Sequence, residues 1–339
     1  MPTLDAFLAD AFSLTSLTEA FIKVPHQPGR LGSLGLFRER GITTTNVMVE
    51  EKEGQLSLIT TSPRGGVPET IGKAKRTARS FIVPHLERIG HINADEIQNV
   101  RAFGSETEAE TIQSIVNSLL TDLRAMHEVT LEYHRMGALQ GVILDADAST
   151  TIYNLFTEFG VAQNTGAIAF NTATTDIRNS IVAILRLIEA EMGGTMVSGY
   201  RGFCGATFFD ALVGHATVKE AYKYQQGLML GADLRSAGFT YGGVIWEEYR
   251  GSVAKPDGSG NASFINASQG FIVPMCNPSI FVTHFAPADF IETVNTVGLP
   301  GYAKQVIDPE FQRWVKVLTQ QNCLNLCLRP RAVYRATMS

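Results

Sequence analysis

Residues 105–137 read SETEAETIQSIVNSLLTDLRAMHEVTLEYHRMG, and this stretch decides the fold. From Ile112 to Met136, apolar side chains recur at steps of three and four, which places them on one face of an α-helix. Ser105 and Glu108 form an S-x-x-E capping box at its start, and we expect Gly137 to end it. With a rise of about 1.5 Å per residue, the helix would be roughly 50 Å long. That length is typical of a strut rather than of a helix packed inside a compact domain.

The chain before this helix has little regular pattern. Residues 4–22 have an amphipathic helical spacing, and residues 24–40 combine proline and glycine with apolar Leu31, Leu34, Leu36 and Phe37. Such apolar residues on a weakly structured segment usually need another surface to cover them. We therefore expect residues 1–41 to form an arm that lies across another molecule.

Residues 42–84 are expected to form a long two-stranded ribbon. Apolar and polar residues alternate on both sides of a turn at Glu53-Gly54, and a further strand over 80–83 ends at Pro84. A ribbon of this kind is marginally stable alone, so it too should rest on another surface. Its return limb carries a run of basic residues, namely Lys73, Lys75, Arg76 and Arg79.

The remainder mixes helices with short apolar strands. A helix is predicted over 174–192, capped by Thr174 or Thr175 and ended by Gly193-Gly194, and the last strand is predicted over 323–334. Because the helices and strands do not alternate strictly, the pattern favours an α+β fold.

Composition excludes several classes of protein. The 339 residues are 45% hydrophobic and 18% charged, with a net charge of −5, which is globular and lacks the basic excess of general nucleic-acid binders. No apolar stretch of about 20 residues occurs, and the first residues do not form a secretory signal. We therefore expect no membrane association, synthesis in the cytoplasm, and free thiols at the four cysteines.

The sequence offers no strong catalytic motif. Neither a P-loop nor an H-E-x-x-H pattern is present, so we expect no catalytic residue, no cofactor and no metal. Asp145 and Asp147 form a carboxylate pair after a predicted strand, a pattern found both in hydrolytic sites and in solvated turns. A hydrolase with an unrecognised site in the C-terminal body remains an alternative.

Four stretches in order complete the pattern around the long helix. They are Pro28-Gly29-Arg30-Leu31-Gly32 with Phe37, Ala78-Arg79-Ser80-Phe81 with Val83-Pro84-His85, Phe239 with Tyr241-Gly242-Gly243-Val244-Ile245, and Gly270-Phe271-Ile272-Val273-Pro274. Together with the arm, ribbon and strut, this ordered set resembles the major capsid proteins of tailed phages, specifically the lambda-like major capsid protein E family.

The resemblance implies the shell fold of tailed-phage major capsid proteins, divided into five segments. They are an N-terminal arm (1–41), an extended E-loop hairpin (42–84), a peripheral domain (85–141) with a spine helix at 105–137, an axial domain (142–320), and a C-terminal strand (321–339) that returns to the peripheral domain.

The resemblance also implies self-assembly into hexamers and pentamers that form the icosahedral head shell of the virion. The shell would enclose DNA without sequence-specific binding. Expected partners are other copies of the chain, a separate scaffold protein, a portal and, as an open case, a decoration protein. An encapsulin-like compartment, which shares the shell fold, remains an alternative.

Charge suggests how neighbouring copies would find their register. The basic flank of the ribbon is expected to meet an acidic surface on the next copy, although these residues are equally compatible with plain solvated charges. The acidic candidates are Glu106, Glu108 and Glu110 at the start of the long helix, and Glu50, Glu51 and Glu53 on the ribbon.

Overall fold

The computed structural model describes residues 13–23, 29–52, 76–94, 108–223, 235, 238–311 and 313–339. The helices are α1 (Leu14–Lys23), α2 (Arg30–Ser33), α3 (Glu108–Gln140), α4 (Leu155–Phe159), α5 (Ile177–Met192), α6 (Ala206–Gly214) and α7 (Ala216–Lys223). The strands up to the middle of the chain are β1 (Phe37–Gly41), β2 (Asn46–Lys52), β3 (Arg76–Ile82), β4 (His85–Asn93), β5 (Val142–Leu144), β6 (Thr151–Asn154), β7 (Asn164–Ile168) and β8 (Val197–Cys204). The later strands are β9 (Phe239–Tyr241), β10 (Val244–Glu248), β11 (Ser252–Ala254), β12 (Asn261–Ser263), β13 (Gln269–Cys276), β14 (Phe281–Phe285), β15 (Tyr302–Ile307), β16 (Trp314–Cys327) and β17 (Tyr334–Met338). This mixture of helices and largely antiparallel strands confirms the α+β class.

The long helix is present but continues past the predicted end. α3 has 33 residues and runs through Gly137 to Gln140. A Cβ added at Gly137 would lie 2.9 Å from the carbonyl oxygen of Val142 and 3.0 Å from Cα of Ile143, so a glycine is required there by the close approach of β5. Gly141, with φ +87°, follows the last helical residue. The predicted cap Ser105 lies outside the described residues.

The chain divides into two compact units, each built from separate stretches. Unit 1 comprises Met1–Val47, Ile82–Tyr133 and Val282–Asn325. Its sheet has the order β1-β14-β16-β15, and β4 pairs antiparallel with β16 along its whole length. Residues 282–320, predicted in the axial domain, therefore lie in unit 1, because β14, β15 and most of β16 form its sheet.

The N-terminal segment packs on its own unit. Leu17 and Phe21 of α1 are buried in one cluster with Leu120 and Leu123 of α3 and with Val317 of β16. Leu31, Leu36 and Phe37 are buried as well. The expectation that apolar residues here need another molecule to cover them is wrong for these five N-terminal residues, because they are buried within the single chain.

Unit 2 comprises Met48–Phe81, His134–Phe281 and Leu326–Ser339. Its six-stranded sheet has the order β7-β17-β13-β8-β10-β9. β17 lies between β7, to which it is parallel, and β13, to which it is antiparallel. The segment 321–339 is expected to return to the peripheral domain. Its residues up to 325 belong to unit 1, and β17 completes the sheet of unit 2.

The ribbon consists of β2 paired with β3 in a two-stranded sheet. β2 was expected to pair with residues 56–60 across a turn at Glu53-Gly54, but those residues lie outside the described part of the chain. Its observed partner is the more distant β3. The names arm, E-loop, peripheral domain and axial domain remain predictions.

Candidate inter-subunit surface

The base of the ribbon is held by an aromatic side chain. Phe81, near the end of β3, is fully buried. Its ring centre lies 5.4 Å from that of Tyr153, at an interplanar angle of 72°, and 5.8 Å from that of Phe159. Edge-to-face aromatic contacts of this kind add to the stabilisation from buried area. The Phe81 position in the Ala78-Arg79-Ser80-Phe81 motif thus fixes the ribbon on unit 2.

One of the predicted basic residues already has a contact within its own chain. Arg79 is half-buried on β3, and its guanidinium carbon lies 5.2 Å from the centre of the Phe159 ring. This is cation–π geometry, which favours the observed placement of the side chain. Lys73 and Lys75 lie outside the described residues, as does the side chain of Arg76.

The acidic candidates are described only in part. Glu50 is exposed on β2. Glu53 and Glu106 lie outside the described residues, and of Glu51, Glu108 and Glu110 the structure describes the backbone alone. Pairing of the basic and acidic sets between copies therefore remains a prediction.

Helix α3 carries buried charges that the spacing of its apolar residues does not predict. Arg124 is 6% exposed, and its Nη2 lies 2.5 Å from Oε1 of Glu128 one turn later. The guanidinium carbon also lies 5.1 Å from the centre of the Phe21 ring. Buried charges are tolerated when they are paired, so Arg124 and Glu128 form a polar base on which α1 rests.

A second buried carboxylate holds the beginning of α2. Oε1 of Glu132 accepts a hydrogen bond of 2.7 Å from the backbone N–H of Leu31. A Cβ added at Gly29 would overlap the side chain of Glu132, so only glycine allows the carboxylate to reach this position. The Pro28-Gly29-Arg30-Leu31-Gly32 motif thus marks where the N-terminal segment is attached to α3.

Two histidines on α3 are buried in the neutral form. Burial, with Arg124 and Arg88 nearby, lowers the pKa of His127 to about 4, and a bond to Thr319 opposes this shift. Its Nε2 lies 3.0 Å from Oγ1 of Thr319. Burial also lowers the pKa of His134 to about 4, against the opposing charge of Asp145.

Asp145 and Asp147, the candidate hydrolytic pair, lie in the turn between β5 and β6. Oδ1 of Asp147 accepts bonds of 2.9 Å from the backbone N–H groups of both Ser149 and Thr150, and its Oδ2 accepts from both hydroxyls, at 2.8 and 2.6 Å. These bonds hold the pKa of Asp147 far below its usual value. Asp145 accepts from the backbone N–H of Ala146. A carboxylate occupied in this way shapes the turn between β5 and β6, which is the solvated-turn interpretation.

Neither a metal-binding cluster nor a membrane-spanning helix is found among the residues that the structure describes. Their His, Cys, Asp and Glu side chains form no group of three or more that could hold a metal ion. None of their helices combines the length and apolar character that crossing a membrane requires.

Comparison with known proteins identifies the family. The sequence profile described as phage major capsid protein E matches residues 13–338. The major capsid protein of Pseudomonas phage KPP10 is 30% identical over 344 residues, which cover 97% of each chain. The major capsid protein of Salmonella phage Felix O1 is 28% identical over 258 residues, which cover 71% of this chain and 70% of that one.

Solved structures share the fold at low sequence identity. A crystal structure described as a prophage capsid protein of E. coli CFT073 covers 98% of this chain and 100% of its own, with a TM-score of 0.59 and 13% identity. The capsid of Ralstonia phage GP4 covers 90% and 87%, with a TM-score of 0.51 and 9% identity. The solved structures that share the fold and the relatives found by sequence are both phage capsid proteins. The chain belongs to the phage major capsid protein E family.

Proposed function

We propose that this chain assembles as hexamers and pentamers into the icosahedral head shell of a tailed phage, where it encloses the genome. The observation that carries the proposal is the family match, because it spans residues 13–338 and so includes both units. The net charge of −5 supports a wall that encloses DNA without gripping its phosphates.

The ribbon formed by β2 and β3 is the part of the subunit proposed to lie over a neighbouring copy. Met48 on β2 is 69% exposed and Ile82 at the end of β3 is 65% exposed. Exposed apolar side chains on a narrow two-stranded sheet gain cover when a neighbour packs against them. In this proposal the ribbon is the E-loop and α3 is the spine helix. The basic residues that precede Arg79 in the chain set the register of the ribbon against an acidic surface of the neighbouring copy.

Other head proteins complete the proposal. A separate scaffold protein would guide curvature, and a portal would occupy one vertex. A decoration protein would bind the outer face where one is used. The family match supports a shell protein rather than a hydrolase, and the hydrogen bonds that Asp147 accepts within its turn support a structural role for that carboxylate.

The test is expression of the full chain followed by gradient sedimentation and negative-stain electron microscopy. We expect capsomers and closed or partly closed particles, with scaffold protein increasing the closed fraction. A single small oligomer at every concentration, with or without scaffold protein, would contradict the proposal. Uniform closed particles whose formation is insensitive to scaffold and portal would instead favour the compartment alternative.

A further inference from the structure

The segment between β14 and β15 displays aliphatic side chains to solvent. We refer to residues 287–300 as the β14–β15 loop. Within it, Ile291 is 91% exposed, Val294 64%, Val297 59% and Leu299 40%. Single exposed apolar residues are ordinary, but four within nine positions concentrate exposed apolar side chains in one loop, and local concentrations of this kind are typical of interaction sites.

Buried amides of β16 hold this loop from beneath. Gln320, Gln321 and Asn322 are consecutive and each is less than 7% exposed. Gln320 donates to Oδ1 of Asp289 and accepts from its backbone N–H. Gln321 donates to the carbonyl of Pro300 at 2.9 Å, and Asn322 donates to that of Pro287 at 2.8 Å. Burying an amide is costly unless it is hydrogen-bonded, so three amides directed at one loop fix the path of its backbone.

Bonds within and beside the loop fix it further. The buried hydroxyl of Thr293 donates to the carbonyl of Ala288 at 2.7 Å, and the hydroxyl of Thr296 donates to the carbonyl of Thr293 at 2.7 Å. The backbone N–H of Gly298 donates to the carbonyl of Ile42 at 2.8 Å. Lys304 on β15 pairs with Glu292 at 2.8 Å. The loop is thus ordered before any partner arrives, and association would cost little further conformational entropy.

We propose that the β14–β15 loop is a preformed contact surface for a second copy of this chain. This step rests on the proposed function, because the neighbours of a shell subunit are copies of itself. Four aliphatic side chains offer far less than the roughly 800 Å² per partner of a standard stable interface. The contact is therefore weak alone and contributes when other contacts join the same copies, as they do both in a small oligomer and in a closed lattice.

The test compares two double variants of the full chain. Ile291→Asn with Val294→Asn removes apolar surface from the loop. Leu187→Asn with Met196→Asn is the matched control in unit 2, where these side chains are 51% and 89% exposed. All four positions are at the surface, so both variants should keep the thermal midpoint of the wild-type chain. Each variant is measured by sedimentation equilibrium below the concentration of particle formation, and then by particle yield.

We expect the loop variant to weaken subunit association at least roughly tenfold and to reduce particle yield, while the control matches the wild type. Equal association of the loop variant and the wild type would overturn the inference. Normal shells that fail to take up another head protein would also overturn it, since the loop would then bind that protein. A wild-type chain that never forms particles contradicts the proposed function instead, and the equilibrium measurement still decides the role of the loop.

Discussion

Gly29 and Glu132 depend on each other at the scale of single residues. The carboxylate of Glu132 reaches the backbone N–H of Leu31 only because residue 29 has no side chain. We predict that Gly29→Ala lowers the free energy of unfolding by about 1–3 kcal/mol, since either the carboxylate or the backbone must shift. Urea unfolding of the purified subunit measures the effect.

Gly214→Ala is the matched control for this change. Gly214 is the last residue of α6, and a Cβ added there would have no atom within 4 Å. The control should be neutral or slightly stabilising, because alanine favours the helix more than glycine does. Equal losses for the two variants would mean that the overlap with Glu132 is unimportant.

The buried histidines make stability depend on pH. The unfolded chain binds protons at these histidines below about pH 6.5, whereas folded His127 and His134 stay neutral down to about pH 4. The unfolded state therefore holds more protons in this window, and the free energy of unfolding falls as pH decreases from about 6.5 to about 4. Each histidine contributes at most on the order of 3 kcal/mol to that fall.

His127→Gln tests the pH dependence through a slope. The variant should show a smaller loss of stability than the wild type between pH 7 and pH 4.5, whatever its stability at pH 7. Comparison of slopes removes the contribution of carboxylates, which both proteins share. Parallel curves would show that His127 is protonated equally in the folded and unfolded states.

At the scale of elements, α1 is attached to unit 1 through a few side chains. Phe21 is fully buried against Arg124 and His127, and the hydroxyl of Thr18 bonds to the backbone of Ala303. We predict that Phe21→Ala weakens this attachment by about 3–5 kcal/mol, enough to release α1 locally. Limited trypsin digestion should then cleave after Lys23 much faster, as followed by mass spectrometry.

Thr15→Ala is the control for the release of α1. Thr15 is exposed on the same helix, and alanine there favours helix formation. Cleavage after Lys23 should remain at the wild-type rate in this variant. If Phe21→Ala instead unfolds all of unit 1 together, cleavage will appear at many sites at once, and α1 is not a separate element.

The elements show which features a sequence pattern predicts well. The 3.6-residue spacing predicted α3 because a long apolar face is a local property. Its end was wrong because Gly137 serves a contact with β5, which is not visible along the helix itself. The cap of α5 was also misplaced by one or two residues, since Asp176 and not Thr174 or Thr175 accepts from the backbone N–H of Asn179.

Contacts between distant stretches were harder to predict. Sheet partners such as β4 and β16 are more than 200 positions apart in the chain. The residues of one strand do not indicate which other strand it pairs with. The buried charges on α3 look like solvated residues until α1 and α2 cover them. The pattern of the β14–β15 loop predicts no element, because its four aliphatic residues recur at steps of three, three and two and so sustain neither a helical nor a strand period. Apolar residues among Thr, Asn, Gly and Pro are themselves a usable signal.

At the scale of the whole molecule, the chain belongs to the family even though its N-terminal segment packs on its own unit and does not extend away from it. Residues 13–23 and 29–41 are packed on unit 1, and yet the family match includes them. Reach toward neighbours is therefore proposed for the ribbon and the β14–β15 loop, where exposed apolar side chains remain. In this proposal the subunit buries most of its apolar core by itself, and assembly depends on several small surfaces that act together.

The basic residues expected on the ribbon can be tested by reversing their charge. Arg79 is excluded from the test because it contacts Phe159, so the change is Lys75→Glu with Arg76→Glu. Exposed ion pairs contribute about 0–1 kcal/mol each, which is too little to alter folding but is repeated in every subunit of a lattice. We expect an unchanged thermal midpoint and a lower particle yield by gradient sedimentation.

The matched control for the ribbon charges is Arg178→Glu with Lys219→Glu, two exposed positions on α5 and α7 that make the same change in net charge. If register depends on the ribbon, only the ribbon pair reduces yield, and adding Glu50→Lys restores part of it by reversing the charge on a candidate partner. Equal loss in both pairs would show that overall charge repulsion controls assembly. In that case the basic flank would be a solvated surface, and the exposed apolar residues of the ribbon and the β14–β15 loop would have to set register on their own.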